Sequence, residues 1–577
     1  MSSEIVDKVR KAAVLNALKH DCRADAKAVL GGLLGENPDL RPRAKELFSL
    51  VQQVVLEVNS TPAQELEQMV RERWPQELTK ERPEEEKVLP PLPSAQKYHL
   101  IVTRLAPNPD FVLHIGNARA AILSHDYAKM YKGKFVLRFE DTDPRLKKAQ
   151  LVFYDLIRED LRWLGCEWDE EYIQSDRLLT YYEVAESLLR KGAAYVCECQ
   201  PDEFRALVGA GKVCPDRDQS GEEQMQRWNM MLGGRYHEGA AVFRIKTDLA
   251  HPNPAVREWP AFRIIDPDRN PHPRVGSKYR VWPLYNLASG VDDHLMRITH
   301  VIRGKEHLTN MARQLFLYGH LGWEYPDAVH YGRLKVEGTD LSKSRLMKAL
   351  ESGEYWGIDD PRLGTLAALR RRGFSPETIR HMIWEVGPRP VDVTISWDNI
   401  YAQNRKLIDQ SAHRYYFVPD PLEAHVEGVG REYVVQAPLH PQHSQMGFRT
   451  LRVQSRDGVA ELYLAGSDAS LLKSAQAVRL MGLFNFKALA VSDGAVKGRF
   501  LSEAVDEAGG IPVIQWVPKQ ENVPVEVVMP DASIKQGLAE KALALENVGA
   551  VAQLVRFGFC RVDGVTQGRI RVYFAHE

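Results

Sequence analysis

The chain has 577 residues, 44% hydrophobic and 27% charged, with a formal net charge of −1 and six cysteines. At ~150 residues per domain this suggests about four domains, and the near-neutral balance excludes a chain that holds nucleic acid by overall basic excess. Apolar runs fall short of the ~18 residues of a membrane span, Met1–Lys8 lacks a cationic-then-apolar leader, and so few cysteines make no disulfide scaffold; a cytoplasmic, multidomain protein is expected.

Residues 1–87 read as helices. Ile5-Val9-Ala12-Leu15-Leu18 and Leu47-Leu50-Val51-Val54-Val55 repeat at spacings of three and four. A charged run, Glu81–Lys87, and a proline stretch, Leu89–Pro93, then predict a linker. Next comes a strand (Tyr98 to Leu105), a turn, a helix (Ala118 to Tyr131) and a second strand (Phe135 to Phe139), the pattern of a βαβ unit. Helical spacing returns over 151–161 and 181–189. From Cys197 the text changes: cysteines, Gly233-Gly234, a strand-like run over 240–246 and dense prolines to Pro273 suggest an insertion. Strand patterns resume at Tyr279–Tyr285, Thr299–Arg303 and Tyr331–Val336, with a helix over 308–320. Residues 355–415 read as helical, and from 416 short alternating runs separated by turn residues indicate antiparallel barrels or sandwiches.

Two stretches carry chemistry. The turn Arg104-Leu-Ala-Pro-Asn-Pro-Asp-Phe-Val-Leu-His114-Ile-Gly116-Asn117 opens a helix. Free N–H groups and the dipole at a helix N-terminus favour an anion, with His114 as an added donor. Far downstream, Asp340-Leu-Ser342-Lys343-Ser344 sets one lysine between two hydroxyl residues, which suits a loop that wraps phosphate. Each is weak alone.

Together, a His-x-Gly turn and a Ser-Lys-Ser loop are the two signatures of class I aminoacyl-tRNA synthetases. Arg104-Leu-Ala-Pro-Asn-Pro, Leu137-Arg-Phe-Glu140-Asp-Thr-Asp-Pro144 and Thr299-His-Val-Ile-Arg303-Gly-Lys-Glu306-His resemble the glutamyl-tRNA synthetase family. Tyr401-Ala-Gln-Asn-Arg-Lys-Leu-Ile-Asp409, Val478-Arg-Leu-Met481 and Gln515-Trp-Val-Pro518 look like its archaeal branch. The resemblance covers about residues 97–577. It implies a multidomain α/β + α + β architecture: 1–95 N-terminal helices and Pro-rich linker, 96–195 first half of a Rossmann-like catalytic domain, 196–278 inserted acceptor-stem-binding domain, 279–325 second catalytic half, 326–415 lysine loop and helical connection, and 416–577 two antiparallel β-barrel anticodon-binding domains.

The implied reaction joins glutamate to tRNA(Glu) through a glutamyl-adenylate, with ATP and its magnesium as substrate; the sequence leaves open whether tRNA(Gln) is also charged. A monomer is expected. The resemblance assigns His114, Asn117 and Lys343 to catalysis, and Pro107, Pro109, His114, Gly116, Asn117, Glu306, Ser342, Lys343 and Ser344 to ATP. It places Arg104, Arg303 and Tyr285 around the carboxylates of glutamate and Glu140 near the ammonium. Two departures stand out: Asn117 replaces the first signature's usual histidine, and Asp340-Leu341 replaces the second's usual Lys-Met. Cys197, Cys199 and Cys214 resemble a zinc site of some relatives, either completed by Asp216 or His237 as a fourth ligand or degenerated and empty. Tyr415, Tyr416, Phe417, Phe448 and Trp516 offer rings for anticodon bases, although barrel core is the favoured reading of each. Residues 416–577 carry 16 Lys/Arg against 18 Asp/Glu, so phosphate attraction there rests on local placement. Arg370, Arg371 and Arg372 are expected as a tRNA-backbone patch. A glutaminyl enzyme, a small-molecule adenylyltransferase and a non-catalytic tRNA binder are the rival readings; Arg303 speaks against the first.

Overall fold

The computed structural model describes residues 3–19, 23–36, 42–74, 89–339, 342–492, 494–505, 510–566 and 568–577. The chain divides into two compact units, Met1–Lys87 and Val88–Glu577. In the first, helices Ser3–Lys19, Ala26–Glu36, Ala44–Asn59 and Ala63–Arg73 enclose one apolar core. Leu47, Val51, Val54 and Val55 are buried as their spacing requires. The stripe on the first helix is rotated from the expected one: Val9, Ala13, Val14 and Ala17 are fully buried, while Ala12, Leu15 and Leu18 sit at its margin. The small side chains allow the closer helix approach, so they take the centre.

The expected charged linker, Glu81–Lys87, lies outside the described residues. The proline stretch after it does not behave as a free linker: Leu89 and Leu92 are buried in the core of the second unit. That core is built on a parallel sheet, Val102–Leu105, Lys134–Phe139 and Glu170–Ile173. A second parallel pair, His300–Gly304 and Asp327–Tyr331, is tied to it through Thr299. The Thr299 N–H donates to the Val102 carbonyl (2.9 Å) and its Oγ1 accepts from the Val102 N–H (2.9 Å). The helix after the first turn runs Ile115–Met130, starting three residues earlier than its apolar spacing indicated, because His114 caps it.

Between the two halves, Ala194–Cys197, Val242–Ile245, Pro260–Ile264 and Val281–Pro283 form a four-stranded antiparallel sheet. Trp228, Trp259, Trp282, Phe243 and Phe262 fill its core. The insertion therefore reaches Pro283, past the expected boundary at 278. The stretch 355–415 is helical over Leu366–Arg372, Pro376–Val386 and Trp397–Ile408, but a strand, Val393–Ile395, interrupts it and pairs in parallel with Leu334–Val336. Three residues, although all β-branched, were too few to read as a strand beside so much helix.

The C-terminal region holds two large sheets and a two-stranded one, Tyr433–Pro438 with Phe448–Val453. In one large sheet the order is His413–Tyr415, Val551–Leu554, Gly558–Thr566, Arg569–His576, Asn522–Val528, Ile534–Glu540, Phe417–Pro419. Its two edge strands are halves of a single segment bent at Tyr416, so one segment joins both edges. The eight-stranded sheet repeats the device: Val513–Ile514 pairs with Val478–Leu480 at one edge, and Trp516–Pro518 pairs with Val459–Leu464. The expected barrels are thus matched in part. The expectation of purely antiparallel pairing is not, since Leu422–Glu427 with Ala495–Ser502 and Asn522–Val528 with Arg569–His576 are parallel. Alternation along a strand reports which face is buried and says nothing of a neighbour's direction.

Two expectations about surface chemistry change here. Tyr415, Tyr416, Phe417 and Trp516 are buried in these cores, and only Phe448, at 60%, is exposed. The three consecutive arginines form no solvated patch. Arg372 is buried and donates to the carbonyls of Phe574 (3.3 Å) and Ala575 (2.7 Å). Arg371 pairs with Asp359 and Asp563, and Arg370 with Glu159. The three therefore tie the connecting helix to three different places: the helix Leu151–Trp163, the strand Gly558–Thr566 and the last strand.

Candidate active site

The strands Val102–Leu105, Lys134–Phe139, His300–Gly304 and Asp327–Tyr331 all end at the same edge. A doubly wound parallel sheet opens its crevice outside the carboxyl ends of its strands. A cleft of about 730 Å³ lies there, lined by Arg104, Pro107, Asn117, Glu140, Tyr285, Arg303 and Glu306 among others. These seven are drawn from four separate stretches of sequence and were all expected at the site. Gly304 leaves room for Glu306: an added Cβ would run into the Glu306 carboxylate.

His114 stands at the N-cap of Ile115–Met130. Its Nδ1 accepts from the Gly116 N–H (3.0 Å), and the Asn117 Oδ1 accepts from the His114 N–H (3.1 Å), a reciprocal capping box. Asn117, where the usual histidine is missing, therefore serves the helix end. Burial lowers the His114 pKa to about 4, so the ring is neutral at physiological pH. With Nδ1 accepting, its proton sits on Nε2, which leaves one N–H donor.

The peptide groups around His114 are clamped on both sides. The Leu113 carbonyl accepts from the Leu366 N–H (3.0 Å), and the Ile115 N–H donates to the Gly364 carbonyl (3.0 Å). Asp160 accepts from the Leu113 N–H, while its Oδ2 is buried without a partner among the described residues. Burial lifts the Asp160 pKa to about 7, and Arg370 and the Leu113 N–H only partly offset it. The unfolded value is near 3.9, so the native state holds an extra proton between about pH 4 and 7. This contribution is complete below pH ~4 and lost as pH rises to ~7, above which the buried charge costs on the order of 4 kcal/mol. Asp160→Asn keeps the acceptor without the charge. Thermal scans should show it raising Tm at pH 8 with little gain at pH 4.5; an equal shift at both would refute the assignment.

Of the remaining residues expected to bind ATP, Pro109 lies off the cleft and its carbonyl accepts from the Gln150 N–H (2.9 Å). Ser342 is the N-cap of the helix Lys343–Glu351, with Lys343 and Ser344 in its first turn. Lys343 forms an ion pair with Asp110, a residue of the first signature turn, so the structure does bring the two signatures together. Asp340 and Leu341 lie outside the described residues.

The charges around Arg104 and Glu140 explain themselves only in three dimensions. Asp293, buried, accepts from Arg104 Nε (3.1 Å) and Nη2 (3.3 Å) and from Arg138 Nη1 (2.8 Å). Burial opposes its charge, yet the two arginines outweigh burial and hold its carboxyl down at about 2. Arg138 also donates to Glu140 (3.0 Å) and to the Ser289 hydroxyl (3.2 Å). Burial raises the Glu140 pKa, with Arg138 and Arg104 pulling the other way. Arg303 differs. It is buried, its Nη2 donates to Tyr325 (2.9 Å) and Gln314 (3.3 Å), and no carboxylate among the described residues pairs with it. The Arg303 Nε, the Asn286 Oδ1 and the Asn108 Oδ1 are buried and unpartnered beside the cleft. Unpaired buried polar atoms in a cleft point to a polar ligand.

Sequence reasoning missed Arg138, Asp293 and Asp110. The signal for Arg138 was present, a charge inside the apolar run Phe135 to Phe139 and so in need of a buried partner. Nothing in the text links it to residue 293.

The comparisons with known proteins agree with this geometry. Residues 100–410 match the family described as tRNA synthetases class I (E and Q), catalytic domain; residues 412–502 and 513–563 match its anti-codon binding domains. The chain belongs to this family. A glutamate–tRNA ligase of Pyrococcus furiosus is 50% identical, covering 98% of this chain and 99% of the relative. One from Thermococcus kodakarensis is 50% identical over 100% of both, and one from Methanopyrus kandleri is 46% identical over 100% and 99%. A solved glutamate tRNA ligase from Elizabethkingia meningosepticum, in complex with its amino acid, covers 54% of this chain and 70% of that one at 22% identity and a TM-score of 0.41, too distant to add to the argument. As a class I synthetase of the E and Q group, the chain places its described helices within globular units, and none is long and apolar enough to cross a membrane.

Proposed function

We propose that this synthetase is a glutamate–tRNA ligase, and the observation that carries the choice of amino acid is the unpaired charge of Arg303. Three arginines (104, 138, 303) face two carboxylates (Glu140, Asp293), a net of one positive charge in a buried site; the neighbouring Asp292 is matched by Arg177 (2.9 Å). Free glutamate carries two carboxylates and one ammonium, so it brings the site to neutrality. Glutamine, with no net charge, would leave a guanidinium buried and uncompensated. Arg104 and Tyr285 then take the α-carboxylate side, Glu140 the ammonium, and Arg303 the side-chain carboxylate.

In the first step the α-carboxylate attacks the α-phosphorus of ATP, magnesium entering with the nucleotide, and pyrophosphate leaves. Negative charge builds on the phosphorus. The His114 Nε2–H lies ready for it without reorganisation, and one such donor lowers a barrier by roughly 3 kcal/mol; the first N–H groups of Ile115–Met130 are already engaged by the Gly364 carbonyl and by His114. Lys343 exchanges Asp110 for phosphate. In the second step a hydroxyl of the terminal adenosine of tRNA attacks the activated carbonyl and AMP leaves. With tRNA present, glutamate-dependent formation of AMP and pyrophosphate, and of glutamyl-tRNA(Glu), is the test; activation of glutamine alone would sink this reading. Running the same assay with tRNA(Gln) decides the second acceptor.

The insertion also holds a donor set suited to zinc. Cys197, Cys199, Cys214 and Asp216 place one ligand atom each within 4.8 Å of one another. Their sulfurs stand 3.4 and 3.7 Å from Cys214 Sγ, near the edge of about 3.7 Å that a tetrahedron with Zn–S of about 2.3 Å requires. Asp216, rather than His237, is the fourth member, and Arg227 (2.8 Å) and the Glu198 N–H (2.8 Å) orient it. A bound ion would staple the turn between Cys197 and Asp216. Metal analysis should find one zinc per chain, and Cys214→Ser should lose it while glutamate-dependent pyrophosphate exchange persists.

A further inference from the structure

Arg303 could have been given a carboxylate, as Arg104 and Arg138 were. Instead its guanidinium is seated against neutral groups: the Tyr285 hydroxyl (3.4 Å), the Tyr325 hydroxyl (2.9 Å) and the amide oxygen of Gln314 (3.3 Å). Gln314, on the helix Leu308–Leu321, is fully buried and not among the residues lining the cleft. Its Oε1 also accepts from Tyr325 (2.8 Å), and its Nε2 donates to the Asn286 carbonyl (3.4 Å). A glutamate at 314 has nearly the same shape, could accept both hydrogen bonds through Oε1 and would neutralise a buried cation. Its Oε2 would face the Asn286 carbonyl to which the amide Nε2 now donates, so the acid exchanges one hydrogen bond for a counter-charge on Arg303.

We propose that Gln314 is a specificity-determining residue for the amino acid. By holding Arg303 with an amide, it fixes the direction of the guanidinium and leaves its charge for the side-chain carboxylate of the substrate. A carboxylate at 314 would supply that charge from the protein and make an uncharged side chain the better match. Gln314 acts through Arg303, so the inference rests on the reading of Arg303 given above.

Three variants of the full chain separate the possibilities: Gln314→Glu, Gln314→Leu and Arg303→Gln. For each, kcat/KM for glutamate and the inhibition constant of glutamine would be measured with tRNA present, alongside Tm. Gln314→Glu should lower kcat/KM for glutamate about 100-fold, the scale of a lost buried charge pair, while glutamine binds no more weakly than to the parent. Gln314→Leu removes the same hydrogen bonds without adding charge, so it should weaken both amino acids together. Parent-like use of glutamate by Gln314→Glu, or equal losses for both amino acids in Gln314→Glu, would overturn the proposal. Should Arg303→Gln leave glutamate activation intact, the fault lies with the role of Arg303 itself.

Discussion

Arg303→Gln should lower kcat/KM for glutamate by ~10²–10³-fold, with KM for ATP nearly unchanged. The size follows from what the substitution leaves behind. The side-chain carboxylate of glutamate would meet Tyr285 at the cleft, with Tyr325 and Gln314 behind it, groups that offer hydroxyls and an amide but no cation. A carboxylate buried without a counter-charge loses its hydration and gains little in return. The fold should survive, because Arg303 makes no ion pair among the described residues and its removal relieves a buried charge. Steady-state kinetics with each substrate varied in turn is the measurement. A parallel rise of KM for ATP would mean that the change disturbs the whole cleft and would count against a role confined to the amino acid.

His114→Ala should cut kcat for glutamate activation by ~10²–10³-fold, the cost of one preorganised donor at a developing charge. His114 has a second task, however, since its Nδ1 accepts from the Gly116 N–H at the helix start. Loss of such a cap costs ~1 kcal/mol of stability and would confuse the reading. His114→Asn supplies the control. Asparagine is a good N-cap and restores the acceptor, but its short side chain cannot reproduce the Nε2–H. Both variants should be slow, and only the alanine should also lose Tm. With the imidazole pKa lowered to about 4, the parent needs no proton on this ring beyond the one on Nε2. The rate of the chemical step between pH 6 and 8 should therefore show no ionisation that His114→Asn removes.

The cleft was more legible than the surfaces around it. Arg104, Glu140, Tyr285 and Arg303 sit in short matched stretches at strand or helix ends, and local order carries such residues to one edge of a parallel sheet. Arg370, Arg371 and Arg372 show the opposite case. Three adjacent charges look solvated in the text, yet the helix directs each to a different element, and Arg372 is buried against the final strand and Tyr401. The proline stretch at Leu89–Pro93 reads as a spacer because composition reports stiffness, whereas the burial of Leu89 and Leu92 depends on what lies beneath them.

The sequence by itself determined the α/β core, the β-rich end and, through motifs that match a known family, that Arg104, Glu140, Tyr285 and Arg303 would share one cleft. Each of these is written in a local run: a period of side chains, a turn chemistry, or a motif within a few residues of a strand end. Only the tertiary structure decided that Asp293 holds Arg104 and Arg138 together, that Asp110 meets Lys343, that Gln314 leaves Arg303 uncompensated, and that two bent segments join the edges of the C-terminal sheets. The physical reason is the range of the interaction. Periodicity and capping act between residues a few positions apart, while a buried charge is settled by whichever partner the folded chain brings within ~4 Å, at any distance along the sequence.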